Sequence, residues 1–170
     1  MFVCRRPRGP YRKKILCMDI LDKTDLQILR ILQTNSRLTT KEVASRVHLS
    51  TTPVFERIKR LENEGYIRKY VAVLDAGKLN RGFVAYCCVK LLRFNRSVAL
   101  DFTRMVKDIP EVTECYNITG EYDYMLKVLA PDMKYYQEFI INVLGTMDTL
   151  GSVTSMFVMD EVKHDYGIPL

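Results

Sequence analysis

Apolar residues recur at helical spacing in three successive stretches near the start of the chain. In DILDKTDLQILRILQT, from Asp19 to Thr34, Leu26, Leu29 and Leu32 repeat every three residues and Ile28 widens the stripe. The stretch predicts an amphipathic helix capped by Asp22 or Thr24. Thr39 and Glu42 have capping-box spacing, in which the hydroxyl accepts from the third backbone N–H while the carboxylate reaches back to the cap. Val43, Ala44 and Val47 give this second, short helix one buried stripe. Ser50 is a good cap for a third helix, and Pro53 fits its first turn, where a missing N–H costs nothing. Val54, Ile58 and Leu61 form the inner side of that helix, whereas Arg57, Lys59 and Arg60 crowd the remaining surface. Gly65 suits the left-handed position just past its end.

Beyond Gly65 the period changes. Residues 66–74, YIRKYVAVL, read as a strand and Asp75 to Asn80 as a connection, which sets a domain break near Ala76 to Gly82. Strand-like runs cover Gly82 to Leu92, Val112 to Thr119, Tyr122 to Ala130 and Ser152 to Lys163. Between them lie two helical stretches: Ser97 to Ile109, with Val98, Phe102, Met105 and Val106 on one face, and Asp132 to Leu144, with Met133, Tyr136, Phe139, Ile140 and Val143. The order β-α-β-β-α-β is the ferredoxin-like split arrangement, a four-stranded antiparallel sheet with both helices on one face. In its first strand Phe83, Ala85, Cys87, Val89 and Leu91 share one face, yet Val84, Tyr86, Cys88 and Leu92 on the other are also mostly apolar. Two helices cover one side only, so the second side predicts a copy of the same sheet and hence a homodimer.

Two helices joined by a short turn, the second one basic, make a helix-turn-helix, whose second helix fits the major groove of B-DNA. An ordinary helical hairpin with a solvated charged face satisfies the same pattern. The fold class is thus α+β: a winged-type helix-turn-helix domain over residues 18–76 and a ferredoxin-like domain over 77–170, after a leader over 1–17. Charge favours nucleic acid as partner of the first half. The 170-residue chain carries +6, but residues 1–74 hold 16 Lys/Arg against 7 Asp/Glu, and residues 75–170 hold 10 against 13. A dimer would present two such helices to successive grooves of double-stranded DNA. Thr51, Thr52, Glu56, Arg57 and Arg60 are the candidates for DNA contact, because short hydroxyls at a helix N-terminus reach base edges or phosphates and Arg grips guanine or phosphate through two N–H groups. Lys59, Lys41 and Arg46 fit phosphate contacts or solvated surface, and Glu56 alternatively pairs with Lys59 or Arg60 along the helix.

Six of the basic residues fall in the leader, MFVCRRPRGPYRKKILC, which has no Asp or Glu, two Pro and no helical period. It reads as disordered. It fits a basic arm, a targeting peptide or translated sequence ahead of a start at Met18, and the folded pattern beginning directly after Met18 favours the last. No apolar run approaches the length that spans a bilayer, so a soluble protein without a membrane partner is expected. Cys4, Cys17, Cys87, Cys88 and Cys115 contain no C-x-x-C pair, and only His48 and His164 could join them, which argues against a metal site. Cys87 and Cys88 should point to opposite faces of their strand as small core residues, and a reducing cytoplasm is the simplest compartment. No nucleophile, base and orienting group come together among these residue types, so neither an enzyme nor a cofactor is expected.

Gly120-Glu121-Tyr122-Asp123-Tyr124 lies in a turn between two strands. Gly120 and its neighbours can turn backbone N–H groups toward a carboxylate, and Asp123 can accept from an ammonium, which together suit a free amino acid. A plain β-hairpin turn with a solubilising acid accounts for the same residues.

From about Met18 to Lys163 the chain resembles the Lrp/AsnC family of transcriptional regulators, also called feast/famine regulators. The resemblance rests on LDKTDLQILRILQTNSRLT, LSTTPVFERIKRLENEGYI, GEYDYMLKV and VMDEVK, in this order. It implies a sequence-specific DNA-binding regulator acting in the cytoplasm at the nucleoid. It further implies dimers that assemble into multiples such as octamers, and an amino-acid effector held between subunits of the C-terminal domain. The last strand around Thr154, Ser155 and Met156 would then wall the effector site opposite Gly120, Glu121, Tyr122 and Asp123. His48 stands where the family commonly has Gly in the turn, a position whose left-handed backbone His tolerates at modest cost. The other function class, a sensor that binds amino acids but not DNA or an oligomeric regulatory subunit of a metabolic enzyme, would keep the second domain. It needs a blunted recognition helix, and Arg57, Lys59 and Arg60 argue against that.

Overall fold

The computed structural model describes residues 21–93 and 95–170, so the basic leader and the opening residues of the first predicted helix lie outside the described residues. Two compact units emerge: the residues up to Val71 together with Asp165–Leu170, and Ala72–His164.

The first unit holds α1 (Lys23–Thr34), α2 (Thr40–Arg46) and α3 (Thr51–Asn63). Asp22 caps α1, accepting from the Asp25 backbone N–H at 2.7 Å, while the Asp25 carboxylate accepts from Asp22 N at 3.2 Å. Thr39 and Glu42 close the expected box at the start of α2. Ser50 has extended cap backbone, but its side chain makes no capping hydrogen bond. The turn between α2 and α3 passes through His48 at φ +55°, a left-handed conformation for a side chain that would ordinarily avoid it. Gly65 ends α3 at φ +80°; an added Cβ would meet nothing within 4 Å, so backbone conformation rather than space calls for glycine.

Ile28, Leu32, Val43, Ala44, Val47, Val54 and Leu61 form the core of this unit. The inner stripe of α1 runs through Asp25, Ile28 and Leu32, rotated from the Leu26, Leu29 and Leu32 line that the leucine spacing suggests. The rotation brings a carboxylate inside. The expected strand over residues 66–74 does not form: the segment pairs with no strand among the described residues, and Tyr70, Val71, Val73 and Leu74 stay exposed. Asp165–Leu170 group with the first unit. Gln33 exchanges hydrogen bonds with the backbone of Ile168 (3.1 and 3.2 Å), and Arg30 Nε donates to Leu170 O at 2.8 Å.

The second unit runs β1 (Phe83–Leu91), α4 (Arg96–Lys107), β2 (Val112–Asn117), β3 (Tyr124–Ala130), α5 (Met133–Asn142), a single 3₁₀ turn (Leu144–Thr146) and β4 (Leu150–Phe157). The sheet is antiparallel in the order β2-β3-β1-β4, so the first strand is central, as the split arrangement requires. Alternation decides the faces. Ala85, Cys87, Val89 and Leu91 of β1 and Tyr124, Leu126, Val128 and Ala130 of β3 pack with Phe102 and Val106 of α4 and Tyr136 and Phe139 of α5. Cys88 is buried although it points the other way. Leu92 falls beyond the strand and is exposed, because the register shifts between Lys90 and Leu91. β4 stops at Phe157, short of the expected Lys163. Among the described residues no helix is long and apolar enough to cross a membrane.

Candidate functional site

α3 has two different sides. Val54 and Leu61 are fully buried, whereas Thr51, Thr52, Phe55, Glu56 and Lys59 are exposed at spacings of one, three, one and three residues, which is one face of a helix. Four of the sequence candidates, Thr51, Thr52, Glu56 and Lys59, therefore share an outward stripe. Lys59 pairs with Glu62 at 2.9 Å, not with Glu56. Glu62 in turn accepts from Tyr70 Oη at 3.0 Å, and partial burial together with that carboxylate pushes the Tyr70 phenol up to about 12. Lys41 and Arg46 stand exposed on α2.

Arg57 and Arg60 are turned elsewhere. Arg57 Nη1 donates to Asp22 Oδ2 at 2.6 Å and to Asp25 Oδ1 at 2.8 Å, and Arg60 Nη2 donates to the other oxygen of Asp25 at 2.5 Å. Asp25 is 1% exposed, so a buried carboxylate of α1 carries both arginines of α3. Burial pushes its carboxyl up, but the hydrogen bonds from Arg60 and Arg57 outweigh that and hold it below the ordinary carboxylate value. The same bonds raise both guanidinium pKa values, so all three groups are charged at neutral pH. The cluster fixes the angle of α3 on α1. Sequence reasoning missed this role, and it missed Phe55, an apolar residue set off the inner stripe among polar neighbours.

In the second unit the hairpin after β2 is closed by Ile118 N donating to Asp123 O at 3.0 Å, with Asn117 Nδ2 on the same oxygen at 2.9 Å. Gly120 sits at φ +120°, a backbone that side chains rarely adopt. Asp123 does not stand open for a ligand with both oxygens: Oδ2 accepts from Leu91 N at 2.8 Å and pins the turn to the end of β1. Tyr122 Oη donates to Thr154 Oγ1 at 3.1 Å, which brings the turn and the last strand together. Thr154 and Met156 share the open side of β4, whereas Ser155 faces the helices and accepts from Tyr136 Oη at 2.5 Å. Glu121 is exposed. A groove of about 510 Å³ also opens between α4 and β2, lined by Thr103, Lys107, Glu114, Cys115, Asn117 and Tyr124 among others; no sequence pattern announced it.

Residues 84–168 match the family described as the Lrp/AsnC ligand binding domain, and residues 21–68 match the winged helix-turn-helix DNA-binding family. The chain is 35% identical over 151 residues to the DNA-binding transcriptional activator DecR of Escherichia coli K12, covering 89% of this chain and 99% of DecR. It is 34% identical over 144 residues to the leucine-responsive regulatory protein of the same organism, covering 85% and 88% of the two chains. Among solved structures, transcriptional regulator NMB0573 of Neisseria meningitidis in complex with L-Met superposes with a TM-score of 0.84 at 38% identity, covering 88% of this chain and 96% of that one.

Proposed function

This chain belongs to the Lrp/AsnC family of DNA-binding transcriptional regulators, and from that premise we propose that it is a homo-oligomeric regulator controlled by an amino acid bound at its C-terminal unit. The family is one of regulators, not enzymes. The observation that carries the DNA-binding part is the outward stripe of α3: Thr51, Thr52, Glu56 and Lys59 project from a helix whose other side is sealed in the core. A helix so held reads base edges and phosphates in the major groove. Lys41 and Arg46 supply further phosphate contacts, and Arg57 and Arg60 act mainly by holding the helix at its angle.

The effector is a small amino acid. Support comes from the turn at Gly120, whose backbone suits a bound carboxylate, and from the remaining oxygen of Asp123, which suits an ammonium. A relative crystallised with L-Met makes methionine the first ligand to try. Dimerisation covers the open side of the sheet, where Val84, Tyr86, Met125, Leu129 and Met156 would otherwise face water. Two subunits then present two α3 helices to one DNA duplex, and the protein works in the cytoplasm on the nucleoid. Titrating labelled genomic fragments against excess random competitor tests the DNA arm; equal affinity for both would overturn sequence-specific binding. Calorimetry with each amino acid tests the effector arm, and no heat from any of them would overturn it.

A further inference from the structure

Phe55 is 50% exposed at the centre of the outward stripe of α3, one turn from Thr51 and one from Lys59. The ring does no core work: the cluster of Ile28, Leu32, Val43, Ala44, Val47, Val54 and Leu61 closes without it, and Phe55 is not among the half-buried residues packed against that cluster. One side of the residue borders a hollow of about 220 Å³ shared with Leu38, Ile58 and Tyr70, and the Lys59 ammonium lies 5.9 Å from the ring centroid. The result is an exposed apolar surface, fenced by hydroxyls and charges, on the face of α3 proposed above to enter the major groove.

Each base pair offers the major groove hydrogen-bonding groups, but only thymine adds an apolar one, its C5 methyl. A phenyl ring has no hydrogen bond to offer a base edge, and burying a methyl against it is favourable. We infer that Phe55 is a specificity-determining residue that reads a thymine methyl group in each half-site, an inference that rests on the DNA-binding function proposed above. Cytosine at that position lacks the methyl, and a purine puts polar edge atoms against the ring, so thymine is preferred over all three other bases.

The test needs a duplex first. One is selected from a randomised pool with the full-length protein, and each thymine is then replaced singly by deoxyuridine, which keeps every hydrogen bond and removes only the methyl. Affinity is read by fluorescence anisotropy at fixed salt. One position in each half-site should lose about fourfold on replacement, the effect of one buried methyl. In Phe55→Ala that loss should vanish, because the variant binds thymine and uracil duplexes alike; Phe55→Leu should keep part of it. Phe55 lies outside the core, and a circular dichroism melt matching the parent protein confirms that the variant is folded. A deoxyuridine effect that persists undiminished in Phe55→Ala would assign the methyl to Thr51 or Thr52 and overturn the inference. Insensitivity at every thymine would overturn it too, while leaving DNA binding intact. Failure to select any duplex would instead remove the DNA-binding premise, and the inference with it.

Discussion

Arg57 Nη1 and Asp25 Oδ1 lie 2.8 Å apart, joining α3 to α1 across 32 residues of sequence. Because Asp25 is buried and also accepts from Arg60, one carboxylate satisfies two guanidinium groups. Removing it takes the carboxylate from Arg60 and leaves Arg57 with Asp22 alone. Asp25→Ala should destabilise the first unit by about 2–3 kcal/mol, less than for a fully buried pair because the arginines keep some access to water. Asp25→Asn retains an acceptor and should cost less. Urea denaturation followed by circular dichroism orders the two.

The same contact changes what is expected of Arg57 on DNA. Its charge suggests a phosphate ligand, but Nη1 is already shared between Asp22 and Asp25. Lys59, with its side chain 55% exposed, is the better phosphate contact. Lys59→Ala should lower the slope of log affinity on log salt by about one per bound subunit. Arg57→Ala should weaken binding by loosening α3 while leaving that slope unchanged, and a lower slope in Arg57→Ala would return it to the phosphate set.

Acid should act through this cluster. Asp25 has a folded-state pKa below its ordinary value of 3.8 despite its burial, because Arg60 and Arg57 favour the charged form. Folding therefore lowers its affinity for protons. The stability so gained is complete above the unfolded value and is lost as pH falls through the folded one. The urea midpoint of the parent protein should begin to drop as pH falls to about 4, the ordinary carboxylate value, and go on dropping below it. Asp25→Asn, less stable at pH 7, should show a shallower drop over the same range; parallel curves would mean that Asp25 does not link folding to protons.

His48 stores backbone strain in the turn between α2 and α3, since its φ of +55° crowds any side chain. Glycine takes that conformation freely but is looser in the unfolded chain, so the two effects partly cancel. His48→Gly should stabilise by about 0.5–1 kcal/mol, and His48→Val, whose branched Cβ fits the region worst, should destabilise by at least as much. Thermal unfolding of the three proteins checks the order.

What the sequence made legible was local. The Thr39 and Glu42 box, the stop at Gly65, and the alternation that buries Tyr124, Leu126, Val128 and Ala130 all depend on residues a few positions apart. The Asp25 cluster depends on partners more than thirty positions away, and basic residues on an amphipathic helix read as solvent-facing by default. One local signal was available. Asp25 precedes Ile28 and Leu32 by three and seven residues, so it interrupts an apolar stripe with a carboxylate that must find cations. The strand expected over residues 66–74 failed for a related reason: a run of aromatic and β-branched residues shows that a segment can pair, not that a neighbouring strand is there to pair with it.

Asp123 illustrates how a binding residue and a structural residue can be one side chain, and how to separate the two roles. Its carboxylate accepts from Leu91 N at 2.8 Å, and its backbone closes the hairpin by accepting from Ile118 N and Asn117 Nδ2. Asp123→Ala abolishes the side-chain bond and should cost the second unit about 1–2 kcal/mol, since Leu91 N loses its acceptor in a half-buried setting. Asp123→Asn keeps an oxygen for Leu91 N and removes only the charge. If the other carboxylate oxygen receives the ammonium of an amino acid, Asp123→Asn should melt within about 1 kcal/mol of the parent protein yet bind the effector at least tenfold more weakly, because a charge-assisted bond becomes a neutral one. Calorimetric titration with methionine and whichever other amino acids bind the parent protein reads the affinity, and the melt reads the fold. Full affinity in a stable Asp123→Asn protein would confine Asp123 to pinning the turn and move the ammonium site elsewhere.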